Sequence, residues 1–454
     1  MTDCSILFYD PNGSSSLHSR LTLTDAQLKS ARDARDSLLG FVKPKLSEMF
    51  DMPVKHWIQG SMKNHTIIRP ASKYGEFDID VGLYVVGEGD ETGIDAVQIK
   101  SDLHDAILDY CQFNVDAKVP GEVKSRCERV VFSGGFHIDI PLYYFDSIAE
   151  VAVLATSKGW ESSDPKGFQT WFDDAVDQER RPTTRRVIKY LKSWAALKSL
   201  GRSEKPMPSM ALTILVAEFA RNFSCLDDEA DFSSAGMMVA HRILESEKVL
   251  NPLNGQDVLG FSEEDLVFWR VCLQELEYVC RCAVVAENAP SSFYIWEKLF
   301  GHMLPPINET TLLSGAGVAG LPAVTKPAVI EVSHYSSKDE LISVGVTDSL
   351  ISYKNESLVF KLKNKGEYPV GASVTWIVRN QGGEAADLND LGHDTSLDLG
   401  DEINRGCAYT GVHYMDATVK FRGVAVGVGK VRVNIMPYTR PVKNPLRRRI
   451  FKGK

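Results

Sequence analysis

The spacing of apolar residues changes along the chain and divides it into regions. Helical spacing runs from Ala26 to Phe50, and strand-like alternation occupies much of the rest of the first 110 residues. From about Arg180 to Phe300 the pattern is mostly helical. A period of 3.6 residues indicates helices, and a period of two indicates half-buried strands. The pattern therefore predicts an α/β lobe up to about residue 180 and a helical lobe over about 181–303.

Beyond residue 303 the pattern changes twice. Residues 304–328 are rich in glycine, proline, alanine and threonine and include a Gly-x-Gly-x-x-Gly hexapeptide at 315–320. That motif binds dinucleotides only between a strand and a helix, and Pro322 would end such a helix, so we interpret the segment as a linker. Short alternating runs separated by turn residues then predict a β-sandwich over 329–437. The runs are Leu358–Leu362, Ser373–Val378, Ala417–Phe421 and Lys430–Ile435.

Composition and charge limit the class of protein. Over 454 residues, 44% are hydrophobic and 24% are charged, as in ordinary globular chains of two or three domains. The net charge is −9, yet seven basic residues and no acidic ones follow Pro437. Residues 438–454 are therefore a basic tail behind an acidic body. We expect this tail to be either a solvated extension or an arm that binds nucleic acid.

Cysteine usage and hydropathy bear on location. The eight cysteines include no Cys-x-x-Cys pair, which is typical of a reducing compartment. Cys272, Cys280 and Cys282 lie in an apolar helical pattern, so we expect packed helix cysteines and not a zinc site. The first 20 residues do not resemble a signal peptide, and no apolar run reaches the ~18 residues of a membrane-spanning helix. We expect a cytoplasmic protein without a membrane partner.

Three aspartates in strand patterns are the candidate catalytic residues. Within 77–85, Asp78 and Asp80 alternate with aliphatic residues, so both carboxylates point to one face. Asp139 occupies the same kind of position within 136–140. A single Asp-x-Asp is also typical of a solvated edge strand. Three carboxylates on neighbouring strands, however, repel one another unless cations lie between them, and they suit two Mg²⁺ or Mn²⁺ ions.

The dipeptide Gly60-Ser61 precedes the aspartate pair. Glycine lets the backbone approach a phosphate closely, and serine supplies a hydroxyl and an amide; a turn with a helix cap is the alternative. The order of Gly60-Ser61, Asp78-x-Asp80 and a separate Asp139 resembles the DNA-polymerase-β-like nucleotidyltransferases. Thr66, Arg69-Pro70 and the segment 74–82 resemble more narrowly the branch of cyclic GMP-AMP synthase and its bacterial dinucleotide-cyclase relatives, over about residues 40–302.

The resemblance implies roles for individual residues. The catalytic and metal-binding set is Asp78, Asp80 and Asp139. The set that binds the donor triphosphate is Gly60, Ser61, Lys192 and Ser209. We see no zinc-ribbon spacing like that of the animal DNA sensor, which argues against activation by DNA in the same way.

A predicted helix over 183–200 carries Lys192. Arg185, Lys189 and Lys192 share one face of this helix, and such a basic face is usually solvated. The likeness of 190–194 to the spine helix of the family implies that Lys192 reaches the triphosphate.

The segment that follows this helix contains Ser209, which we expect to cap a helix from Met210 to Phe223. Several family members have a base-stacking aromatic residue where this chain has Met210. Stacking must therefore come from elsewhere, or the base preference is relaxed. Two later landmarks of the family, Asn251-Pro252 and 296–301, are expected to be structural.

The C-terminal region has a resemblance of its own. Segments 358–362, 375–380 and 409–414 resemble the β-rich sensor domain that some bacterial nucleotidyltransferases carry, which implies a nucleotide-derived ligand. Trp376, His413 and Tyr414 are candidates for a stacking platform, although Trp376 also suits a sandwich core.

Together these expectations define an α+β chain, in which a two-lobed polymerase-β-like nucleotidyltransferase (1–303) precedes a linker, a β-sandwich and a tail. The expected function is Mg²⁺-dependent joining of nucleoside triphosphates into a cyclic oligonucleotide messenger of bacterial antiphage defence, which by resemblance acts on an effector protein. The alternatives are transfer of a nucleotide to RNA or protein, for which the basic tail is the motive, and a non-catalytic nucleotide sensor, which the three carboxylates disfavour.

Overall fold

The computed structural model describes residues 5–12, 15–121, 124–285, 289–306, 326–438 and 440. The chain forms two compact units, Met1–Pro305 and Pro306–Lys454. In the described part of the chain, no helix is long and apolar enough to cross a membrane. The glycine-rich hexapeptide at 315–320 and most of the basic tail lie outside the described residues, so the predictions made for them stay predictions.

The first half of unit 1 is a mixed sheet covered by helices. Its helices are α1 (Ser5–Phe8), α2 (Leu17–Leu21), α3 (Asp25–Phe50), α4 (Gly60–Lys63), α5 (Ala96–Phe113) and α6 (Pro165–Ala175). Its strands are β1 (Val54–Gln59), β2 (Phe77–Gly87), β3 (Ala117–Lys118), β4 (Glu128–Phe132), β5 (Phe136–Ile140), β6 (Leu142–Asp146), β7 (Val151–Thr156) and β8 (Gly159–Ser162). Among the described residues the strand order is β3-β4-β5-β2-β6-β7-β8, with β1 also paired to β2.

Strand β2 organises this sheet because one of its faces is wholly apolar. The side chains of Ile79, Val81, Leu83 and Val85 are 0% exposed and pack in one core with residues of α3 and α5. Period-two alternation therefore places Asp78 and Asp80 on the opposite face, as predicted. Helix α3 begins after Thr24, which forms a capping box with Gln27.

The second half of unit 1 is helical. It contains α7 (Arg181–Ser199), α8 (Ser209–Phe219), α9 (Asp228–Ser246), α10 (Glu263–Val284) and α11 (Ala289–Phe300), with 3₁₀ turns at Ala220–Asn222 and Gly301–Met303. Its core is aromatic: Trp194, Trp269 and Trp296 are at most 1% exposed. Cys272 and Cys280 are buried in α10 and Cys282 is half-buried, which confirms the prediction of packed helix cysteines.

Unit 2 is a β-sandwich, as predicted. Its strands are β9 (Lys326–Pro327), β10 (Ile330–Tyr335), β11 (Leu341–Val346), β12 (Ser349–Tyr353), β13 (Ser357–Leu362), β14 (Ser373–Arg379), β15 (Gly392–Asp398), β16 (Ile403–Gly406), β17 (Gly411–Phe421) and β18 (Val424–Met436); it also has helix α12 (Gly383–Asp387) and a 3₁₀ turn, Lys365–Glu367. In the described chain, one sheet has the order β11-β10-β13-β16 and the other β12-β18-β17-β14-β15, with β9 beside β18.

The two sheets of unit 2 share one core. Phe360 of β13 and Trp376 of β14 lie in this core with ring centroids 6.4 Å apart. Trp376, His413 and Tyr414 are only 0%, 5% and 7% exposed. Trp376 therefore belongs to the sandwich core, as the alternative interpretation expected, and the burial of His413 and Tyr414 argues against a stacking platform open to solvent.

Candidate active site

A cavity of about 1030 Å³ lies in unit 1 between the sheet and the helical half. Strands β1 and β2, helices α4, α7 and α8 and the loop 251–258 contribute to its wall. The predicted site residues in this wall are Gly60, Ser61, Asp78, Asp80, Lys192 and Ser209. The remaining one, Asp139, is buried beside Asp80. The structure thus brings the seven predicted site residues into one region.

Strand pairing brings the three aspartates together. Strands β2 and β5 are parallel neighbours, and their register sets Asp80 beside Asp139 and Asp78 beside His137. One ligand atom from each of Asp78, His137 and Asp139 lies within 4.8 Å of the other two, so these three residues could hold a metal ion. Carboxylate oxygens and an imidazole nitrogen suit several divalent metals.

Asp80 carries the clearest electrostatic signal in the cavity. Burial, together with the charges of Asp78 and Asp139, raises the pKa of Asp80 to about 7, although Lys192 and His137 act in the opposite direction. Three carboxylates therefore lie close together, and the positive charges of Lys192 and His137 do not fully offset their negative charge at Asp80. A cation placed among them would remove this repulsion.

The negative charge of Asp139, unlike that of Asp80, is offset by two hydrogen-bonded cations. Arg129 of β4 lies opposite it and donates two hydrogen bonds, from Nε to Oδ1 at 2.6 Å and from Nη2 to Oδ2 at 2.7 Å. Lys124 Nζ donates to Oδ2 at 3.2 Å. Burial alone would raise the pKa of Asp139, but Arg129 and Lys124 hold it below its ordinary value. Asp139 is therefore ionised at neutral pH.

His137 links Asp78 to a further acid. Its Nε2 lies 2.9 Å from Asp78 Oδ1, and its Nδ1 lies 3.0 Å from Glu76 Oε2. Burial lowers the pKa of His137, but the carboxylate of Asp78 outweighs burial and leaves the pKa raised. Sequence reasoning missed both His137 and Arg129. The available signal was that His137 precedes Asp139 by two residues in the same strand and so shares its face.

Gly60 has a geometric reason to be glycine. Its φ is +59°, in the left-handed region, and a Cβ at this position would lie 1.9 Å from Asp80 Oδ2. Glycine at this position therefore lets the backbone lie close to the carboxylate of Asp80, and its expected approach to a phosphate stays a prediction. Ser61 follows as the second residue of the short helix α4.

Lys192 projects from α7 towards the same carboxylates. Its Nζ donates to the carbonyl oxygen of Thr66 at 2.9 Å. Burial lowers the pKa of Lys192 to about 8, and Asp78 and Asp80 act against this shift.

The prediction that Ser209 caps α8 is wrong. Ser209 is the first helical residue, Pro208 occupies the capping position, and no side chain caps the helix. The helix ends at Phe219 because a 3₁₀ turn takes over at Ala220. Met210 is 41% exposed and lines the cavity. The aromatic residues in the cavity wall are Trp57, Phe77, Tyr143 and Phe168.

The two later family landmarks, Asn251-Pro252 and the segment 296–301, differ in their surroundings. Trp296 is fully buried, and its Nε1 donates to Glu229 Oε1 at 2.7 Å. Asn251, by contrast, lies in the cavity wall with Gln256 and Asp257. Loop 251–258 is therefore part of the cavity wall, whereas the sequence interpretation expected only a structural role for Asn251-Pro252.

Comparison with known proteins agrees with this geometry. Residues 54–143 match the family described as the nucleotidyltransferase domain of DncV-like cyclic GMP-AMP synthases, and residues 324–436 match the adenylyl/guanylyl and SMODS C-terminal sensor domain. A cyclic GMP-AMP synthase of Escherichia albertii is 32% identical over 437 residues, which cover 96% of this chain and 97% of that protein.

Solved structures share the fold of unit 1. Vibrio cholerae DncV with nonhydrolyzable GTP aligns with a TM-score of 0.56 and 16% identity over 66% of this chain and 96% of its own. Escherichia coli DncV in its 3′-deoxy GTP bound form aligns with a TM-score of 0.54 and 16% identity over 67% and 98%.

The fold and the carboxylate-lined cavity define a two-lobed nucleotidyltransferase followed by a sensor-type β-sandwich. The chain belongs to the family of DncV-like cyclic GMP-AMP synthases, and it is an enzyme of the cyclic oligonucleotide synthase class, as the sequence motifs predicted.

Proposed function

We propose that the enzyme uses Mg²⁺ to join nucleoside triphosphates into a cyclic oligonucleotide in the cavity of unit 1. The observation that carries the proposal is the convergence of Asp78, Asp80 and Asp139, which leaves Asp80 with a pKa raised to about 7. The cavity volume of about 1030 Å³ is at the upper end of small-molecule sites, as two nucleotides require.

The residues present fit a divalent cation. Asp78 Oδ1 is buried, and its contact among the described residues is an ion pair with His137 Nε2 at 2.9 Å. Asp78, Asp80 and Asp139 would hold the ion, with Mn²⁺ as an alternative to Mg²⁺. When bound, the ion polarises the reacting phosphate and neutralises charge.

Other residues of the chain orient Asp139 and bind the donor triphosphate. Arg129 and Lys124 keep Asp139 ionised and fix its orientation. Lys192 and Ser209, at the helical side of the cavity, bind the donor triphosphate, and Gly60 and Ser61 bind it from the sheet side. Holding the donor and acceptor nucleotides in one cavity makes their reaction effectively intramolecular.

Membership of the family supports a proposal for the biological setting. The E. albertii relative is named a cyclic GMP-AMP synthase, so ATP and GTP are the first substrates to test. We propose that the product is a messenger of CBASS-type antiphage defence in the bacterial cytoplasm, read by an effector protein, and that the sensor domain binds a nucleotide-derived ligand.

Product analysis tests this function. The full-length protein is incubated with labelled nucleoside triphosphates and Mg²⁺ or Mn²⁺, treated with phosphatase, and analysed by chromatography and mass spectrometry. We expect a phosphatase-resistant cyclic product from the wild type and none from Asp78→Ala. Absence of such a product with either metal, or label found only on added RNA or protein, would contradict the proposal.

A further inference from the structure

Within the part of the chain that the structure describes, helix α7 carries two cations beyond Lys192 that have no acidic partner in contact. Arg185 and Lys189 precede Lys192 by seven and three residues, so the three lie on one helix face. Among the described residues, neither Arg185 nor Lys189 forms an ion pair, and Arg185 Nε is buried without a hydrogen bond. The acid that acts on Arg185 from a distance, Asp173, is itself paired with Arg181 at 3.5 Å.

A neighbour on the same helix shows what a compensated cation looks like here. Arg186 donates from Nε to Asp228 Oδ2 at 2.7 Å and from Nη2 to Oδ1 at 2.8 Å. The side chain of Asp228 is only 4% exposed. The fold thus supplies a buried acid to Arg186 and none to Arg185. An unpaired cation that is partly buried destabilises the folded chain unless a ligand compensates it.

The surroundings of Lys189 are also cationic. Burial lowers the pKa of Lys189, and the charges of Arg185 and Arg186 lower it further. Burial lowers the pKa of His65 too, followed by the charges of Arg185, Lys189 and Lys63. His65 has a φ of +56° because it ends helix α4 in a tight turn, in which its N–H donates to the Met62 carbonyl oxygen and the Thr66 N–H donates to that of Ser61.

This cluster adjoins the cavity. His65 directly precedes Thr66, whose carbonyl oxygen accepts from Lys192 Nζ at 2.9 Å, and both Thr66 and Lys192 line the cavity. Lys189 lies one helical turn before Lys192, about 4.5 Å back along the axis. Lys189 and then Arg185 follow Lys192 towards the N-terminal end of α7, directly beyond the part of the helix that lines the cavity.

We propose that Arg185, Lys189 and His65 form an anion site that continues the cavity past Lys192 and binds the terminal phosphates of the donor, then the pyrophosphate that leaves. This rests on the proposed function, because it takes Lys192 as the residue that meets the triphosphate. A compact group of three basic residues with one end at a cavity suits a short polyphosphate better than nucleic acid, whose binding usually involves a longer row of phosphate contacts.

Binding of inorganic pyrophosphate to the full-length chain tests the site without catalysis. Calorimetry is done with the wild type, Lys189→Met and Arg185→Gln. Lys198→Met is the matched control, because Lys198 lies on the same helix but pairs with Glu275. We expect each test variant to bind pyrophosphate about tenfold more weakly, as befits loss of one charge-assisted contact. The control should bind like the wild type, and Lys189→Arg should restore most of the affinity.

Unchanged pyrophosphate affinity in both test variants, with thermal midpoints like that of the wild type, would overturn the proposal. The proposal would also be overturned if the test variants lost affinity for a single-stranded RNA but kept their affinity for pyrophosphate. That result would show that these cations bind nucleic acid. The two proposals fail separately. If the variants bind pyrophosphate more weakly but the wild type makes no cyclic product, the anion site is supported and the proposed function is not. If the wild type makes the product but the variants bind pyrophosphate as it does, the function is supported and the anion site is not.

Discussion

Each unit buries carboxylates, and the two units treat them in opposite ways. In unit 2, Glu356 is 3% exposed and accepts hydrogen bonds from Arg440, His334 and Ser352. Burial alone would raise the pKa of Glu356, but these bonds lower it to about 2. In unit 1, burial and neighbouring acids raise the pKa of Asp80 to about 7.

We interpret this difference as that between a structural acid, Glu356, and an acid of the proposed catalytic site, Asp80. Glu356 stabilises the sandwich, since its partners favour the ionised form in the folded state. Asp80 makes the folded state less stable at neutral pH, because its neighbours disfavour its charge. A fold retains such a group where a ligand or ion supplies the missing charge, which supports the proposal that Asp80 belongs to the catalytic site.

The largest effect is expected from Asp80→Asn. Product formation should fall at least ~1000-fold, because a metal-binding carboxylate is lost. In a chelator, the unfolding free energy at pH 7 should stay equal or rise, since a folded pKa above the ordinary value means that the ionised group destabilises above pH ~4. Activity assays and urea unfolding measure the two quantities. A large loss of stability would show that Asp80 is structural.

Gly60→Ala should have the next largest effect. The added Cβ would meet Asp80 Oδ2 and distort the carboxylate, so we expect product formation to fall by about two orders of magnitude. Gly89→Ala is the matched control, because Gly89 also has a positive φ (+94°) but has nothing within 4 Å of the added Cβ. Both variants should lose about 1 kcal/mol of stability from backbone strain. Equal activities would exclude the clash as the reason for glycine at position 60.

Glu356→Gln probes the compensated acid. We expect the unfolding free energy of the sandwich to fall by about 3 kcal/mol, because Arg440 and His334 lose their charged partner. Guanidinium unfolding followed by tryptophan fluorescence measures it. Glu331→Gln is the control, since Glu331 pairs with the exposed Lys361 and should change stability by less than about 1 kcal/mol. Similar effects of the two substitutions would remove the distinction drawn for Glu356.

The smallest expected effect is the change with pH of the stability difference between the wild type and Glu356→Gln. Because the pKa of Glu356 is lowered from 4.5 to about 2, its contribution is fully present above pH ~4.5 and is lost as the pH falls towards 2. The stability gap between wild type and Glu356→Gln should therefore narrow over this window. A gap that stays constant down to pH 3 would contradict the assignment.

Local patterns predicted the part of the site that lies within single elements. Alternation alone orients Asp78, Asp80 and Asp139, and helical spacing orients Lys192. Arg129 and His137 were missed because their contacts depend on the order β4-β5-β2, and the sequence does not state which strands pair. The place of Asn251 in the cavity wall was not predicted for a related reason, since a loop enters that wall only through tertiary packing.

Capping and exposure were the least predictable features. Ser209 has the sequence features of a cap, yet Pro208 takes that position because α8 begins one residue earlier than expected. The sequence pattern predicted a solvated basic face on α7. Among the described residues, the packed structure instead shows that Arg185 Nε is buried without a hydrogen-bond partner, whereas Arg186 is bonded to Asp228. Burial at a packed surface depends on residues far apart in sequence, which periodicity does not contain.

The central claim is that the carboxylate group around Asp80, whose own charge is not offset, binds a divalent cation. Calorimetric titration of Mn²⁺ into the full-length protein at pH 7.5, without nucleotide, tests it most directly. We predict binding by the wild type and by Glu356→Gln, and at least ~10-fold weaker binding by Asp80→Asn. Equal Mn²⁺ affinity in Asp80→Asn and the wild type would contradict the claim.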